Sequence, residues 1–167
     1  MERGSIILII LLLIAVFFLI RLISPVQIDD VSPEIPCPEI EKYNPDVLWV
    51  IPNFNQTLIS KNQTWCQGIL SLNKTLGMHG INHSPYREFL YENISQEKLD
   101  FAIAEFEKCF GYKPTMFKPP QLKINKENKK LIQENNLDLK LTTNAIFHKV
   151  YHCEDTGKLS NKIIKIF

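Results

Sequence analysis

At 167 residues, with 19 Lys and Arg against 18 Asp and Glu and a formal net charge of +1, the chain is too short for several domains and too evenly charged to favour nucleic acid as a partner. The lysines within 108–130 alternate with acids and asparagines, the pattern of a solvated face and not of a phosphate-binding patch. About 140 residues remain once the apolar N-terminal run is set aside, enough for one self-supporting core.

Residues 6–20 form that run without interruption. As a helix they span about 22 Å, short of the roughly 30 Å hydrocarbon core, but Arg21 can snorkel and let Leu22 and Ile23 add the missing turn. A secretory leader also begins with a basic residue such as Arg3. No small-residue cleavage site follows here, and a cut near Ser24 would fall against a strand. Residues 1–24 are therefore read as an uncleaved membrane anchor, with a signal peptide as the alternative, and residues 25–167 as one domain.

The flanking charges do not orient the anchor, but two other features do. The four cysteines, Cys37, Cys66, Cys109 and Cys153, contain no C-x-x-C pair; in an oxidising compartment they allow up to two disulfides in three connectivities. Five N-x-[ST] sequons start at Asn55, Asn62, Asn73, Asn82 and Asn93, where chance placement of 13 Asn and 15 Ser and Thr predicts about one. Both features place the domain on the extracellular or lumenal side as a glycoprotein.

In chain order, Val26-Gln27-Ile28 leads a short strand into Asp29-Asp30, and the prolines at 33, 36, 38 and 45 make the next stretch a connector rather than a helix. Residues 47–51 read as a buried strand closed by Pro52. The spacing of Trp65, Ile69, Leu72 and Leu76 predicts a helix over 64–76 that delivers His79. Ser95 caps a clearer helix with Leu99, Ile103, Phe106 and Phe110 on one stripe and Gly111 at its end. A strand at 115–117 stops at Pro119-Pro120, a polar helix covers 125–135, and strands are expected at 137–141 and 162–167. Trp49 and Trp65 lie in apolar patterns and are read as core. Strands alternating with helices imply a mostly parallel sheet, whose reactive residues gather at the C-terminal strand ends, where Asp29-Asp30, His79 and Lys118-Pro119-Pro120 all fall.

His79-Gly80-Ile81-Asn82-His83 sets two imidazoles four residues apart. With one carboxylate of Asp29-Asp30 they make a two-His, one-Asp set with open positions, suited to a divalent metal and to zinc first, while the second carboxylate can take a proton from water. The same donor set would serve a non-haem iron oxygenase, which nothing around Asp29-Asp30 supports.

Val26-Gln27-Ile28-Asp29-Asp30-Val31-Ser32-Pro33, Val50-Ile51-Pro52-Asn53, Met78-His79-Gly80-Ile81-Asn82-His83 and the blocks Phe110-Gly111-Tyr112-Lys113-Pro114 and Phe117-Lys118-Pro119-Pro120 follow one another in the order of the polysaccharide deacetylase (NodB-homology) family, which the chain resembles. The nearest likeness is to a deacetylase-like branch that opens on Asp-Asp-Val-x-Pro. The resemblance implies an incomplete, distorted (β/α) barrel and metal-dependent removal of N-acetyl groups from a glycan. It implies Asp30, His79 and His83 as metal ligands and Asp29 as catalytic base, and it puts Lys118 and Pro119 in a family block on the substrate side; Tyr86, in the loop after His83, is read from its position alone as either a sugar-site aromatic or an ordinary loop aromatic. Lys118 departs from the family's Arg before Pro and lacks its bidentate fork. The family's late general-acid His has two candidates, His148, ranked first, and His152, neither in the family's context. Truncation or degeneracy would account for that, and the alternative function is a non-catalytic glycan-binding or structural protein. A glycan between two ligands would obstruct a metal, so Asn82 is expected to be unmodified. With so few residues between Ile23 and Asp29, the site is expected close to the membrane, facing a cell-wall or lipid-linked glycan.

Overall fold

The computed structural model describes residues 3–84 and 88–166. Helix α1 (Arg3–Ile23) leads into strand β1 (Gln27–Val31), a one-turn helix α2 (Glu39–Tyr43), strand β2 (Val47–Val50) and the small hairpin β3 (Asn53–Phe54) and β4 (Thr57–Leu58). Helix α3 (Gln63–Ser71), strand β5 (Thr75–His79), helices α4 (Glu88–Tyr91) and α5 (Gln96–Phe110) and strand β6 (Met116–Lys118) follow. The chain continues through α6 (Lys126–Glu134), β7 (Asp138–Leu139), α7 (Thr142–Phe147), β8 (Val150–His152) and α8 (Asn161–Ile166).

Six strands form one parallel sheet in the order β7-β6-β5-β2-β1-β8. The chain steps outward from β1 to β7 on one side and returns to place β8 on the other. That is the strand order of a (β/α) barrel left open between β7 and β8, as the sequence led us to expect. The sheet's core face is built from Ile28, Leu48, Val50, Met78 and Phe117, packed against Leu99, Ala102 and Phe106 of α5, all buried. Ser95 caps α5 by accepting from Lys98 N, and Gly111 ends it at φ 81°. Trp49 is buried, with its indole N–H donating to Gln27 at 2.8 Å, and Trp65 packs on Phe110.

Three elements differ from the sequence reading. The helix expected over 64–76 stops at Ser71, because Asn73 at φ 52° turns the chain and Leu76 already belongs to β5. The proline-rich connector holds α2, which starts directly after Pro38, a residue whose fixed φ suits a helix start. The expected terminal strand is helix α8, which buries Ile164 while Ile163 and Ile166 stay outward; tertiary placement overrides the β-propensity of its isoleucines.

The four cysteines form two disulfides, Cys37–Cys153 and Cys66–Cys109, with Cα separations of 4.6 and 5.4 Å. The first ties the connector after β1 to the end of β8, and the second ties α3 to α5.

Residues Ser5–Ile23 are long and apolar enough to cross a membrane, and only 6% of that window is buried. The helix is not detached from the domain. Arg21 is buried and donates to the carbonyls of Ala145 and Ile146, and Phe17 meets Phe147 at 6.1 Å between ring centroids. These contacts lie where α7 runs into β8, at the N-terminal edge of the sheet. Seven residues of largely extended chain at about 3.3 Å each then carry Asp30 on the order of 20 Å away, to the opposite edge. Short sequence separation along a strand is not short distance, so the few residues between Ile23 and Asp29 do not by themselves set the site beside α1.

Candidate metal centre

In a regular strand, Asp29 and Asp30 would point to opposite faces. Strand β1 avoids this with a bulge: Ile28 pairs with Leu48 but Val31 with Val50, three steps against two, and Asp30 sits at φ 66°. A left-handed Asp costs local energy, of the kind retained at functional positions. Both carboxylates now face His79, whose Nε2 lies 3.8 Å from Asp29 Oδ2 and 3.4 Å from Asp30 Oδ1. Both are almost wholly buried.

His79 ends β5 with its Nδ1 2.9 Å from the carbonyl of Lys118 on the neighbouring strand. A carbonyl only accepts, so Nδ1 carries a proton and Nε2 is the ring atom turned to the site. His83 arrives through a loop that only glycine permits. Gly80 has φ +66°, and an added Cβ would sit 2.6 Å from both Glu88 Oε1 and the Pro120 ring. The buried Glu88 accepts from the backbone N–H of Ile81 at 2.7 Å and of Asn82 at 3.1 Å, holding the loop from beneath. His83, at φ 53°, thus brings its Nε2 to 3.0 Å from Asp30 Oδ1.

One ligand atom from each of Asp30, His79 and His83 lies within 4.8 Å of the others. Contacts of 3.0–3.4 Å between donors match the edges of a coordination shell whose bonds are about 2.0–2.2 Å long. The donor set therefore fits a divalent cation with mixed nitrogen and oxygen ligands. Thr156 donates to Asp30 Oδ2 at 2.8 Å, which fixes the carboxylate so that Oδ1 faces the imidazoles. Burial opposes ionisation of Asp30, yet the hydrogen bonds and charges of His79 and His83 outweigh it and hold the carboxyl well below its usual range. For His83, burial works against protonation and is outweighed by Asp30 and then Asp29 and Glu88, so its imidazole is raised.

Asp29 is held differently. Its Oδ1 is 2.7 Å from Lys118 Nζ, a residue 1% exposed whose ammonium also lies 5.3 Å from the Trp49 ring centroid. Lys118, expected on the substrate side, is instead engaged beneath the site. Pro119 is buried. Tyr86 lies outside the described residues.

His148, the first candidate for a late acid, stands at the start of β8, at the sheet's far edge, with Nδ1 2.8 Å from the Asn144 carbonyl. The structure brings His152 to the site instead, its Nε2 3.7 Å from Asp29 Oδ2. Residues 142–147 are helical, and strand β8 follows them and ends at His152. Asn161 clamps His152 from both sides, accepting from its N–H at 2.9 Å and donating to its carbonyl at 2.7 Å. Gly157 leaves room for the ring, since a Cβ there would meet His152 Nδ1 at 2.3 Å. Thr156, Asn161 and Glu88 were not foreseen. Nothing in their local sequence marks them, whereas His152 would have followed from the strand-end rule once 145–147 was recognised as helix.

Beside His83, a cleft of about 790 Å³ opens between the β3–β4 hairpin and Gln121, lined by Asn53, Phe54, Gln56 and Asn82. Asn53 donates to Asn82 Oδ1 at 2.7 Å, so the Asn82 side chain is half-buried and hydrogen-bonded, whereas Asn55, Asn62, Asn73 and Asn93 are exposed.

No protein-family model and no curated protein matches the sequence. Solved structures do match the fold. A peptidoglycan N-acetylglucosamine deacetylase superposes with a TM-score of 0.53 at 15% identity, over 68% of this chain and 54% of that one. A CE4 family pseudoenzyme from Bacillus anthracis gives 0.52 at 14% identity, over 70% and 41%. A mutant of that pseudoenzyme with restored enzymatic activity gives 0.51 at 16% identity, over 68% and 42%. The chain thus spans about half or less of the length of these structures, and the likeness is one of fold: a mostly parallel α/β sheet of the CE4 polysaccharide deacetylase type.

Proposed function

We propose that this protein is a metal-dependent deacetylase that hydrolyses N-acetyl groups on a glycan. The observation that carries the reading is the convergence of Asp30, His79 and His83 on one point at the C-terminal strand ends, with Asp29 and His152 alongside. A divalent cation held there, zinc being the best match to two imidazoles and a carboxylate, supplies Lewis acidity to water and to the acyl oxygen. The chain's own residues do the rest. Asp29 keeps Oδ1 on Lys118 and offers Oδ2 to accept a proton from the attacking water. His152, beside that oxygen, is placed to give a proton to the amine as the C–N bond breaks and acetate leaves. Thr156 and the Lys118 carbonyl hold two of the ligands in register so that neither has to reorganise.

Helix α1 is read as a retained anchor, since its Phe17 and Arg21 are integral to the packing on α7. The two disulfides and the four exposed sequon asparagines support a domain outside the cytosol.

A second reading, a glycan-binding protein without turnover, is favoured by the Lys118–Asp29 pair, which leaves the base one oxygen. Metal content and acetate release from N-acetylated oligosaccharides, compared between wild type, His79→Ala and His83→Ala, separate the two. Near-stoichiometric metal lost in both variants, with acetate released by wild type alone, is the expected result. Metal without acetate selects the binder, and a metal-free wild type overturns both site readings.

A further inference from the structure

We infer that α7 and α8 form a membrane seat, a surface that rests on the lipid headgroups beside α1 and holds the metal centre facing away from the bilayer. The inference rests on the reading of α1 as a membrane anchor. Arg21 ends the unbroken apolar run of α1 and so marks the level at which a spanning helix meets the headgroups. It is at this level that α7 is tied down, through Arg21 to the carbonyls of Ala145 and Ile146 and through Phe17 to Phe147. Helix α8 arrives at the same edge from the opposite direction. Its first residue, Asn161, is hydrogen-bonded to His152 at the site end of β8, and its last turn reaches the start of that strand, where Lys149 Nζ lies 3.5 Å from the Lys165 carbonyl.

This corner leaves apolar side chains outside the core. Ile146 is 45% exposed and Ile166 77%, and Phe147 is also exposed. Lys149 and Lys165 stand among them. Apolar groups interspersed with lysines suit the interface of an anionic bilayer, in which the side chains sink about 5–10 Å and the ammonium groups meet lipid phosphates. A patch continuous with the lipid-exposed surface of α1 is delivered to that interface without any search, because the anchor already pays the entropy of bringing it there. The outcome is a domain with a fixed tilt whose catalytic edge is the one turned away from the headgroups. The substrate is then a glycan that extends from the surface, not one lying flat upon it.

The test uses the full chain in nanodiscs of phosphatidylcholine and phosphatidylserine, with single added cysteines carrying an environment-sensitive dye and quencher groups at known depths on the lipids. Leu12→Cys reports the anchor, Ile146→Cys and Ile166→Cys report the seat, and Phe101→Cys on α5 is the control. Deep quenching at 12, at least threefold stronger shallow quenching at 146 and 166 than at 101, and loss of that difference when Lys149 and Lys165 are both changed to Glu are expected. Quenching at 12 with positions 146 and 166 no different from 101 overturns the seat and leaves the anchor standing. No quenching at 12 overturns the anchor reading and the seat with it.

Discussion

Lys118 Nζ meets Asp29 Oδ1 at 2.7 Å, and both side chains are buried, at 1% and 5% exposure. Among the described residues the other close neighbour of the ammonium is the face of Trp49. Removing one member of such a pair leaves a charge in a poorly solvated place. Lys118→Met is therefore expected to lower the unfolding free energy by about 3–5 kcal/mol. The double variant Lys118→Met, Asp29→Asn should recover most of that loss, because the orphaned charge is gone. Urea unfolding of the four proteins closes the cycle; additive losses would show that the pair is not coupled.

The ligand Asp30 depends on Thr156, which arrives from the far end of the chain to occupy Oδ2 at 2.8 Å. Thr156→Val keeps the shape and removes the donor. Metal affinity is expected to fall about 10–100-fold, the usual effect of losing an outer partner, with the far-ultraviolet spectrum unchanged. Competition titration against a chromophoric chelator reads this directly. An unaltered affinity would mean that Asp30 is positioned by the β1 bulge alone.

The parallel sheet, the capped helix α5 and the set Asp29, Asp30, His79 and His83 were legible because each is a local signal: apolar runs between breakers, Ser95 and Gly111 at helix ends, His and Asp at strand ends. What was not legible is what only the closed fold brings together. Thr156 and Asp30 are 126 positions apart, and neither Thr156 nor Asn161 differs locally from any polar loop residue. Nothing local separated His148 from His152; the fold does, because residues 142–147 form a helix against α1 and leave His148 before β8 while His152 ends it. Lys118 was read as a weakened Arg on the substrate side. Its burial against Trp49 could not be inferred from a Lys-Pro-Pro string.

The two disulfides differ in what they hold. Cys37–Cys153 closes 116 residues and joins the segment that carries His152 and Thr156, while Cys66–Cys109 closes 43 residues within the α3–α5 layer. Loop-closure entropy sets upper limits of about 5 and about 4 kcal/mol on their contributions. Replacing either pair by serines should therefore lower stability comparably. Only the Cys37→Ser, Cys153→Ser variant should also weaken metal binding, because it frees the wall over Asp30. Equal metal affinity in both variants would show that Asn161 and the β1–β8 pairing suffice to hold that wall.

Glu105 offers a pH test away from the site. Its side chain is buried on α5, where Lys108 donates to it at 2.7 Å and Ser60 donates to its other oxygen. Burial opposes its ionisation, but these hydrogen bonds and the charge of Lys108 outweigh it, so the carboxyl lies below its ordinary value of 4.5. A group whose value falls on folding binds fewer protons in the native state. Its stabilisation is then complete above the unfolded value and disappears as the pH drops through the folded one. Glu105→Gln should therefore be less stable than wild type at pH 7, with the gap closing below about pH 4.5 as the wild-type carboxyl takes up its proton. Denaturant midpoints of both proteins between pH 7 and pH 3 measure the gap, and a difference that stays constant across that range would show that Glu105 acts through packing and not through its charge.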